Sequence, residues 1–544
     1  MRVAEALGRA TSQLGVRECF GLVGSGNFHL ANAMVASGVR FIPARHETGA
    51  VTMADACARV SGRLAVCTVH QGPGVTNALT GLTEAAKSRT PLLLLAAEAT
   101  APLSNFFIDE KGLASAAGAK HSRIETPATA VADLAEAARM AVAERRTVLV
   151  SLPLEVQAAE CDPPHGLVAP AAPPAQPASP SDVEALVRML DEARRPLILA
   201  GRGALLSGAR EPLERLAEGC GALLATSAVA YGLFAGNPWY VGISGGFASP
   251  VAAELIEASD LVVAFGASLN MWTTSRGHLI GKAAKVVQVD VDPAALGAHR
   301  PVDLGVHGDC AATARAVCDA LGSHPAEGWR TAETEERIRR GGWRDQPFED
   351  LSGGGRIDPR TLTVALHGLL PAERTLAVDS GHFMGWAPMY MGVPEGGAFV
   401  FTQSFMSIGL GLATGIGAAT GRPDRLTVIA LGDGGALMSL PELETLGRLG
   451  LDALVVVYND ASYAAEVHHF APEGAPMDTV RFPDTDFAAL ARSVGLEAAT
   501  VRSLDDLEAV RGWVHRGRHR PLLLDAKVVP TLVAEWLEEA FRGH

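Results

Sequence analysis

A chain of 544 residues has the length of roughly three or four ordinary domains. Its 48% hydrophobic and 19% charged residues describe a globular protein, and no apolar run approaches the ~20 residues of a membrane span. A balance of 46 basic and 60 acidic residues argues against a nucleic-acid partner held on a basic surface, and seven scattered cysteines without CxxC suit a reducing cytoplasm rather than a zinc site.

In chain order, MRVAEALGRATSQLG reads as an amphipathic helix without the apolar core of a signal peptide, so no export is expected. A first α/β block, residues 1–161, has strand-like runs at Cys19–Val23, Val39–Pro43, Leu64–Val69, Leu92–Ala96 and Thr147–Leu152. Ser25 lies in LVGSGN, a loop after the first run, and His70 lies in VHQGPGVTN after the third. ARHETGAVTMADACARVSG sets Glu47 just after the second, with Ala50, Ala54 and Ala58 on the helix behind it. The Pro/Ala-rich stretch 162–180 reads as an extended surface linker. A second block, 181–322, holds PLILAGRG, DLVVAFG and KVVQVDVDP; a charged, glycine-containing linker, 323–356, leads to the third block, 357–544. The expected fold is α/β throughout, in three doubly wound parallel-sheet domains.

The third block carries the most specific pattern. Leu426–Leu431 is a buried-strand run that stops at Gly432, Gly434 and Gly435, which are expected to form a turn around Asp433. Ser439 and Glu442, with Pro441 between them, have the spacing of a capping box opening a helix that Gly450 ends. Ala453–Tyr458 is a second buried strand running into Asn459 and Asp460. Asp433 and Asp460 therefore both sit at strand C-terminal ends, where open parallel sheets place ligands. GxxxxGK[ST] is absent, and GSGNFH and GRGALL both lack the third glycine of GxGxxG. Two oxygen-bearing side chains beside a glycine turn suit Mg²⁺, which accepts one or two carboxylates together with phosphate oxygens and water, with a diphosphate resting on the backbone N–H groups of the turn.

GDG, some two dozen residues, and a strand ending in Asn-Asp resembles the signature of the thiamine-diphosphate (ThDP) enzymes. The chain is similar to the acetolactate synthase, benzoylformate decarboxylase and pyruvate decarboxylase family over nearly its full length. The resemblance implies pyrimidine-binding, central and diphosphate-binding domains in that order. It implies Mg²⁺ ligation by Asp433, Asp460 and the Ser462 carbonyl, with Asp460 standing where the family usually has asparagine. Glu47 is the glutamate that would bond N1′ of the aminopyrimidine. In FTQSFMSIGLGLATG the Met406 carbonyl would receive the 4′-amino group, and Ile408 would wedge the cofactor into its bent shape. Ser25, His70 and Glu466 (in ASYAAEVHHF) align with positions from which relatives move protons or face substrate, and His382 (in DSGHFMGW) follows a third-domain strand, a place from which it would approach the thiazolium. The family builds its site between subunits, so a homodimer or dimer of dimers is expected. SLNMWTTSRGHLIGKAA stands where flavin-containing members hold FAD, which argues against FAD.

The expected activity is that of a 2-oxo acid decarboxylase or acyloin-forming carboligase acting on small 2-oxo acids or aldehydes. Two alternatives remain open. One is a 2-hydroxyacyl-CoA lyase or sulfoacetaldehyde-type enzyme, although the acidic segment TLVAEWLEEAFRGH suits a CoA nucleotide poorly. The other is a non-catalytic ThDP-binding regulatory protein, against which Glu47 speaks.

Overall fold

The computed structural model describes residues 1–321, 329–534 and 536–537. It contains three six-stranded sheets in which every strand pairing is parallel. The first comprises β1 (Glu18–Gly21), β2 (Arg40–Pro43), β3 (Ala65–Val69), β4 (Leu92–Glu98), β5 (Lys120–Arg123) and β6 (Thr147–Pro153), in the spatial order β2-β1-β3-β4-β6-β5. The central sheet comprises β7 (Pro196–Ala200), β8 (Leu223–Thr226), β9 (Tyr240–Ile243), β10 (Leu261–Phe265), β11 (Lys285–Asp290) and β12 (Leu304–His307), ordered β12-β11-β10-β7-β8-β9. The third comprises β13 (Arg374–Val378), β14 (Phe399–Phe401), β15 (Leu426–Gly432), β16 (Ala453–Asn459), β17 (Glu497–Val501) and β18 (Leu522–Lys527), ordered β14-β13-β15-β16-β18-β17. The third sheet thus repeats the order of the first, strand for strand. Helices cover both faces, which is why central strands such as AVCTV, LLLLAA and ALVVVY are apolar without alternation and fully buried.

The first and third domains share one core. Phe20, Ile42, Met53 and Leu82 from the first join Leu412, Ile416, Ile429 and Leu443 from the third in a single buried cluster. The contact centres on the helices Glu47–Ser61 and Gly411–Gly421, both rich in small residues. A side chain at Gly417 would bring its Cβ within 2.1 Å of the Met53 carbonyl oxygen, so glycine is what lets the two backbones meet.

Three expectations change. Ser439 and Glu442 form no capping box: the helix Glu442–Leu449 has Pro441 at its N-cap with no side-chain cap bond, and Ser439 Oγ donates to the Gly435 carbonyl instead. The Glu442 carboxylate is drawn away because Oε1 accepts the N–H groups of both Arg45 and His46, each at 3.0 Å, from the first domain. Asp433 does not sit inside a glycine turn; it opens a short helix, Asp433–Met438, directly after β15. The stretch expected as a second linker contains the helix Ala332–Arg340, whose first-turn acids and last-turn arginines complement the helix dipole. Residues 323–328 of that stretch, and 535 and 538–544 of the acidic closing segment, lie outside the described residues.

Candidate active site

At the C-terminal edge of the third sheet, β15 delivers Asp433 and β16 delivers Asn459 and Asp460. Asn459 is buried and fixes the strand end: its Nδ2 donates to Asp525 Oδ1 at 3.0 Å on neighbouring β18 and to the Thr485 carbonyl at 3.2 Å. Asp460 is thereby turned the other way, and its Oδ1 accepts the N–H (3.1 Å) and hydroxyl (2.8 Å) of Ser462. Burial, and then the neighbouring Asp460 charge, push the Asp433 carboxyl up to about 7. Burial likewise pushes Asp460 up to about 6, against the lowering effect of its Ser462 bonds. Among the described residues neither acid forms an ion pair. Two buried carboxylates, one raising the proton affinity of the other and neither ion-paired, with Arg356 acting on Asp460 only through its field, are a donor set suited to a hard divalent ion.

Beside them lies the irregular segment Thr402–Leu410. Met406 in it is 43% exposed and has φ 65°, a left-handed conformation uncommon for any residue but glycine, and Ile408 is half-buried. Asp379, at the end of β13, accepts the N–H groups of Gly409 (2.9 Å) and Leu410 (3.2 Å). The same carboxylate packs on the 433–438 helix, where a Cβ at Gly435 would lie 2.4 Å from Asp379 Oδ2.

At the matching edge of the first sheet, Glu47 is buried as the first residue of its helix and accepts a bond from Asn77 Nδ2 at 3.1 Å. Glu47 acts electrostatically on His70, which follows β3. His70 Nδ1 accepts the N–H of Gly26 at 3.1 Å, and its ring meets Phe106 edge-on with centroids 5.4 Å apart. An Nδ1 that accepts leaves the neutral ring with its proton on Nε2. Burial lowers the affinity of this ring for a second proton, with the Glu47 charge opposing. Ser25 is exposed in the same loop, which Asn27 shapes by accepting from Gly24 N–H and donating to the Leu22 carbonyl.

Glu466 is half-buried on the helix Ala464–Phe470. His382 is buried under the C-terminal segment: its Nε2 accepts the Ala534 N–H at 3.0 Å, and its ring lies 4.5 Å from that of His468. Burial and the neighbouring His468 push its ring down to about 3, so it stays neutral and serves as an acceptor for its own chain. The structure thus groups Ser25, Glu47 and His70 at one sheet edge and Asp433, Asp460 and Ser462 at another, and no hydrogen bond or ion pair among the described residues links the two groups. Asp379, Asn77 and Glu442 were not singled out from the sequence as site residues. A strand-end acid in LAVDSG is the one signal that points to Asp379, whereas Glu442 reads as a local cap because its partners lie nearly 400 residues away.

Two like sheets with acids at their ligand edges, sharing a core across paired helices, define a cofactor enzyme assembled from duplicated α/β domains. Family matches name it: the thiamine pyrophosphate enzyme N-terminal TPP-binding domain covers residues 1–122, the central domain 183–317 and the C-terminal TPP-binding domain 379–526. The chain belongs to the thiamine pyrophosphate enzyme family and is a ThDP-dependent enzyme of the carbon–carbon lyase and transferase type. It is 28% identical to a sulfoacetaldehyde acetyltransferase of Rhodobacter capsulatus over 100% of this chain and 96% of that one. It is 28% identical to an acetolactate synthase large subunit of Parasynechococcus marenigrum over 92% and 83% of the two chains. A probable 2-ketoarginine decarboxylase of Pseudomonas aeruginosa is 29% identical over 93% and 91%. Among the described residues no helix is long and apolar enough to cross a membrane.

Proposed function

We propose that the chain is a Mg²⁺- and ThDP-dependent 2-oxo acid decarboxylase or acyloin-forming carboligase of the cytoplasm, making or breaking a carbon–carbon bond beside a carbonyl. The observation that carries the reading is the pair Asp433 and Asp460, two buried acids at adjacent strand ends, neither in an ion pair. They would hold Mg²⁺ with the Ser462 carbonyl, and the backbone from Gly432 to Gly435 would receive the diphosphate. Among the described residues no three His, Cys, Asp or Glu side chains converge into a metal cage, which suits an ion completed by phosphate oxygens and water.

When bound, thiamine diphosphate supplies a carbon nucleophile for a carbonyl centre and an electron sink for the charge left when the adjoining bond breaks. Glu47, held by Asn77, would share a proton with the aminopyrimidine ring, while the Met406 carbonyl and the Ile408 side chain would fix that ring's orientation. His70, with its proton on Nε2, would donate a hydrogen bond to a substrate carboxylate or carbonyl oxygen. Ser25 would offer a second polar contact, and Glu466 would carry a proton. His382 is left out of this set because its ring is engaged by Ala534. Completion of the site by a second copy, as a homodimer or dimer of dimers, would join the Glu47 edge of one chain to the Asp433 edge of the other. FAD has no part in this reading, since the turn amides after β7 are bonded within the central sheet: Gly201 N–H donates to the Phe265 carbonyl and Gly203 N–H to that of Gly266.

A second reading, acetyl transfer involving sulfoacetaldehyde, is supported by the full-length similarity to the Rhodobacter enzyme. The test is to incubate protein, ThDP and Mg²⁺ with a panel of 2-oxo acids and, separately, sulfoacetaldehyde, following CO₂, acyloins and acetyl transfer. Cofactor-dependent CO₂ release from a 2-oxo acid is the expected result; turnover of sulfoacetaldehyde alone would favour the second reading and overturn the first.

A further inference from the structure

The first and third domains grip each other through two glutamates at equivalent places in their repeated topology. Glu84 lies on the helix Leu79–Lys87, between the third and fourth strands of the first domain. Glu442 lies on the helix Glu442–Leu449, between the corresponding strands of the third. Each is almost wholly buried, and each accepts two successive backbone N–H groups from the other domain. Glu84 Oε2 accepts from Phe405 at 2.7 Å and Oε1 from Ser404 at 3.2 Å. Glu442 Oε1 accepts from Arg45 and His46 at 3.0 Å each. The targets are equivalent too, since both pairs follow the second strand of their domain. Each glutamate is steadied by a hydroxyl of its own helix or its end, Ser88 Oγ at 3.2 Å for Glu84 and Thr445 Oγ1 at 2.6 Å for Glu442.

Each gripped pair runs straight into a proposed cofactor residue. Glu47 comes directly after Arg45 and His46, and the left-handed Met406 directly after Ser404 and Phe405. The strap 404–410 is therefore fastened by Glu84 at one end and Asp379 at the other, with Met406, Ser407 and Ile408 between. The acid at position 84 sits among charges that nearly balance. Arg59 Nη1 lies 3.6 Å from Glu84 and 3.1 Å from Asp55, Arg59 Nη2 donates to the Phe401 carbonyl, and Arg202 of the central domain donates to the Ser88 carbonyl. An apolar side chain would fill an interdomain space without the cost of burying a charge. A carboxylate accepts two adjacent amides at once, through both oxygens at Glu84 and through Oε1 at Glu442.

We infer that Glu84 and Glu442 are reciprocal positioning residues, each setting from the opposite domain the backbone that presents a cofactor-contacting residue. Docking of the two domains and readiness of the cofactor site are then one event. The inference rests on the proposed function for the roles of Met406 and Glu47, and on the hydrogen bonds alone for the grip itself.

The test uses full-length protein and two readouts, amide hydrogen exchange of the cofactor-free chain and calorimetric affinity for ThDP with Mg²⁺. Glu84→Gln keeps the side-chain volume but turns one acceptor into a donor facing an amide. It should speed exchange in the peptide spanning 402–409 at least about tenfold and weaken ThDP by a similar factor, with the 44–48 peptide unchanged. Glu442→Met, which removes both carboxylate oxygens where a glutamine oxygen would still take both amides, should do the converse, loosening 44–48 and lowering kcat about tenfold with ThDP affinity within about twofold. Thr445→Val, which removes only the hydroxyl that steadies Glu442, should loosen 44–48 by about threefold and decides the matter for Glu442 if the glutamate variants do not fold. Unchanged exchange in the gripped segments, or an increase spread evenly over both domains, would overturn the inference and leave the glutamates as interdomain glue. Wild-type protein that binds no ThDP would overturn the functional reading instead, while the exchange data would still judge the grip.

Discussion

The central domain and its two neighbours use glycine at strand ends to opposite effect. Numbered from its own first strand, the central sheet runs 6-5-4-1-2-3, the dinucleotide-binding order, whereas the first and third sheets both run 2-1-3-4-6-5. At the central switch point between β7 and β10, Gly203 and Gly266 bring backbone against backbone; a Cβ at Gly203 would lie 2.7 Å from Gly266 Cα. The amides of Gly201 and Gly203 there are taken by the Phe265 and Gly266 carbonyls. In the third domain, Gly435 instead makes room for a carboxylate, Asp379, which holds the strap beside Asp433. The same residue type thus lets backbone pack on backbone at one strand edge and makes room for a carboxylate at another. The difference lies in what the glycine is packed against.

The largest expected effect tests the outer pair of domains. Glu47→Gln should keep the fold and ThDP affinity but lose about 10²–10⁴ in kcat, since an amide cannot share the ring proton, and steady-state kinetics with calorimetry would check both halves. Next, alanine at the two kinds of glycine should separate their uses. Gly435→Ala drives a Cβ into Asp379 and should weaken ThDP at least about tenfold, whereas Gly203→Ala should destabilise the central domain by about 1–3 kcal/mol with ThDP affinity kept. Equal loss of cofactor in both variants would erase the contrast.

A smaller effect distinguishes the first domain from the third. Glu110 is buried in the first domain, bonded by Ser151 Oγ, and burial pushes its carboxyl up to about 8. The folded chain therefore holds a proton that the unfolded chain releases near its ordinary value, so stability from this group is intact at about pH 4 and declines as pH rises toward 8. Glu110→Gln should flatten that decline, narrowing the fall in Tm between about pH 5.5 and 8.5 by about 2–4 °C. The smallest expected change is that of Asp460→Asn, which should stay active while binding Mg²⁺ a few-fold, about 2–5 times, less tightly in a metal titration.

Much of this was legible because it is local. Apolar runs such as LTVIAL and ALVVVY are strands wherever they fall, and their ends brought Asp433 and Asp460 together without any knowledge of the rest of the chain. The resemblance carried by GDG and the Asn-Asp end supplied the domain order that the family matches bear out. What the sequence hid depends on distant partners. Ser439 and Glu442 have capping spacing, yet two amides from the first domain outcompete the local bond for Glu442, since they offer one carboxylate oxygen two donors at once. His382 looked catalytic from its place after a strand; its bond to Ala534, 152 residues on, belongs to the packing of the C-terminal segment. Glu84 is one acid on an ordinary amphipathic helix until the third domain is docked beside it.

The most direct test of the anchor is a calorimetric titration of ThDP into wild type and Asp433→Ala, each with Mg²⁺ and with EDTA. The two-carboxylate account predicts tight binding only for wild type with Mg²⁺, and a loss of at least about 10²-fold on removing either the metal or the acid. Equal affinity in the variant and the wild type would contradict it.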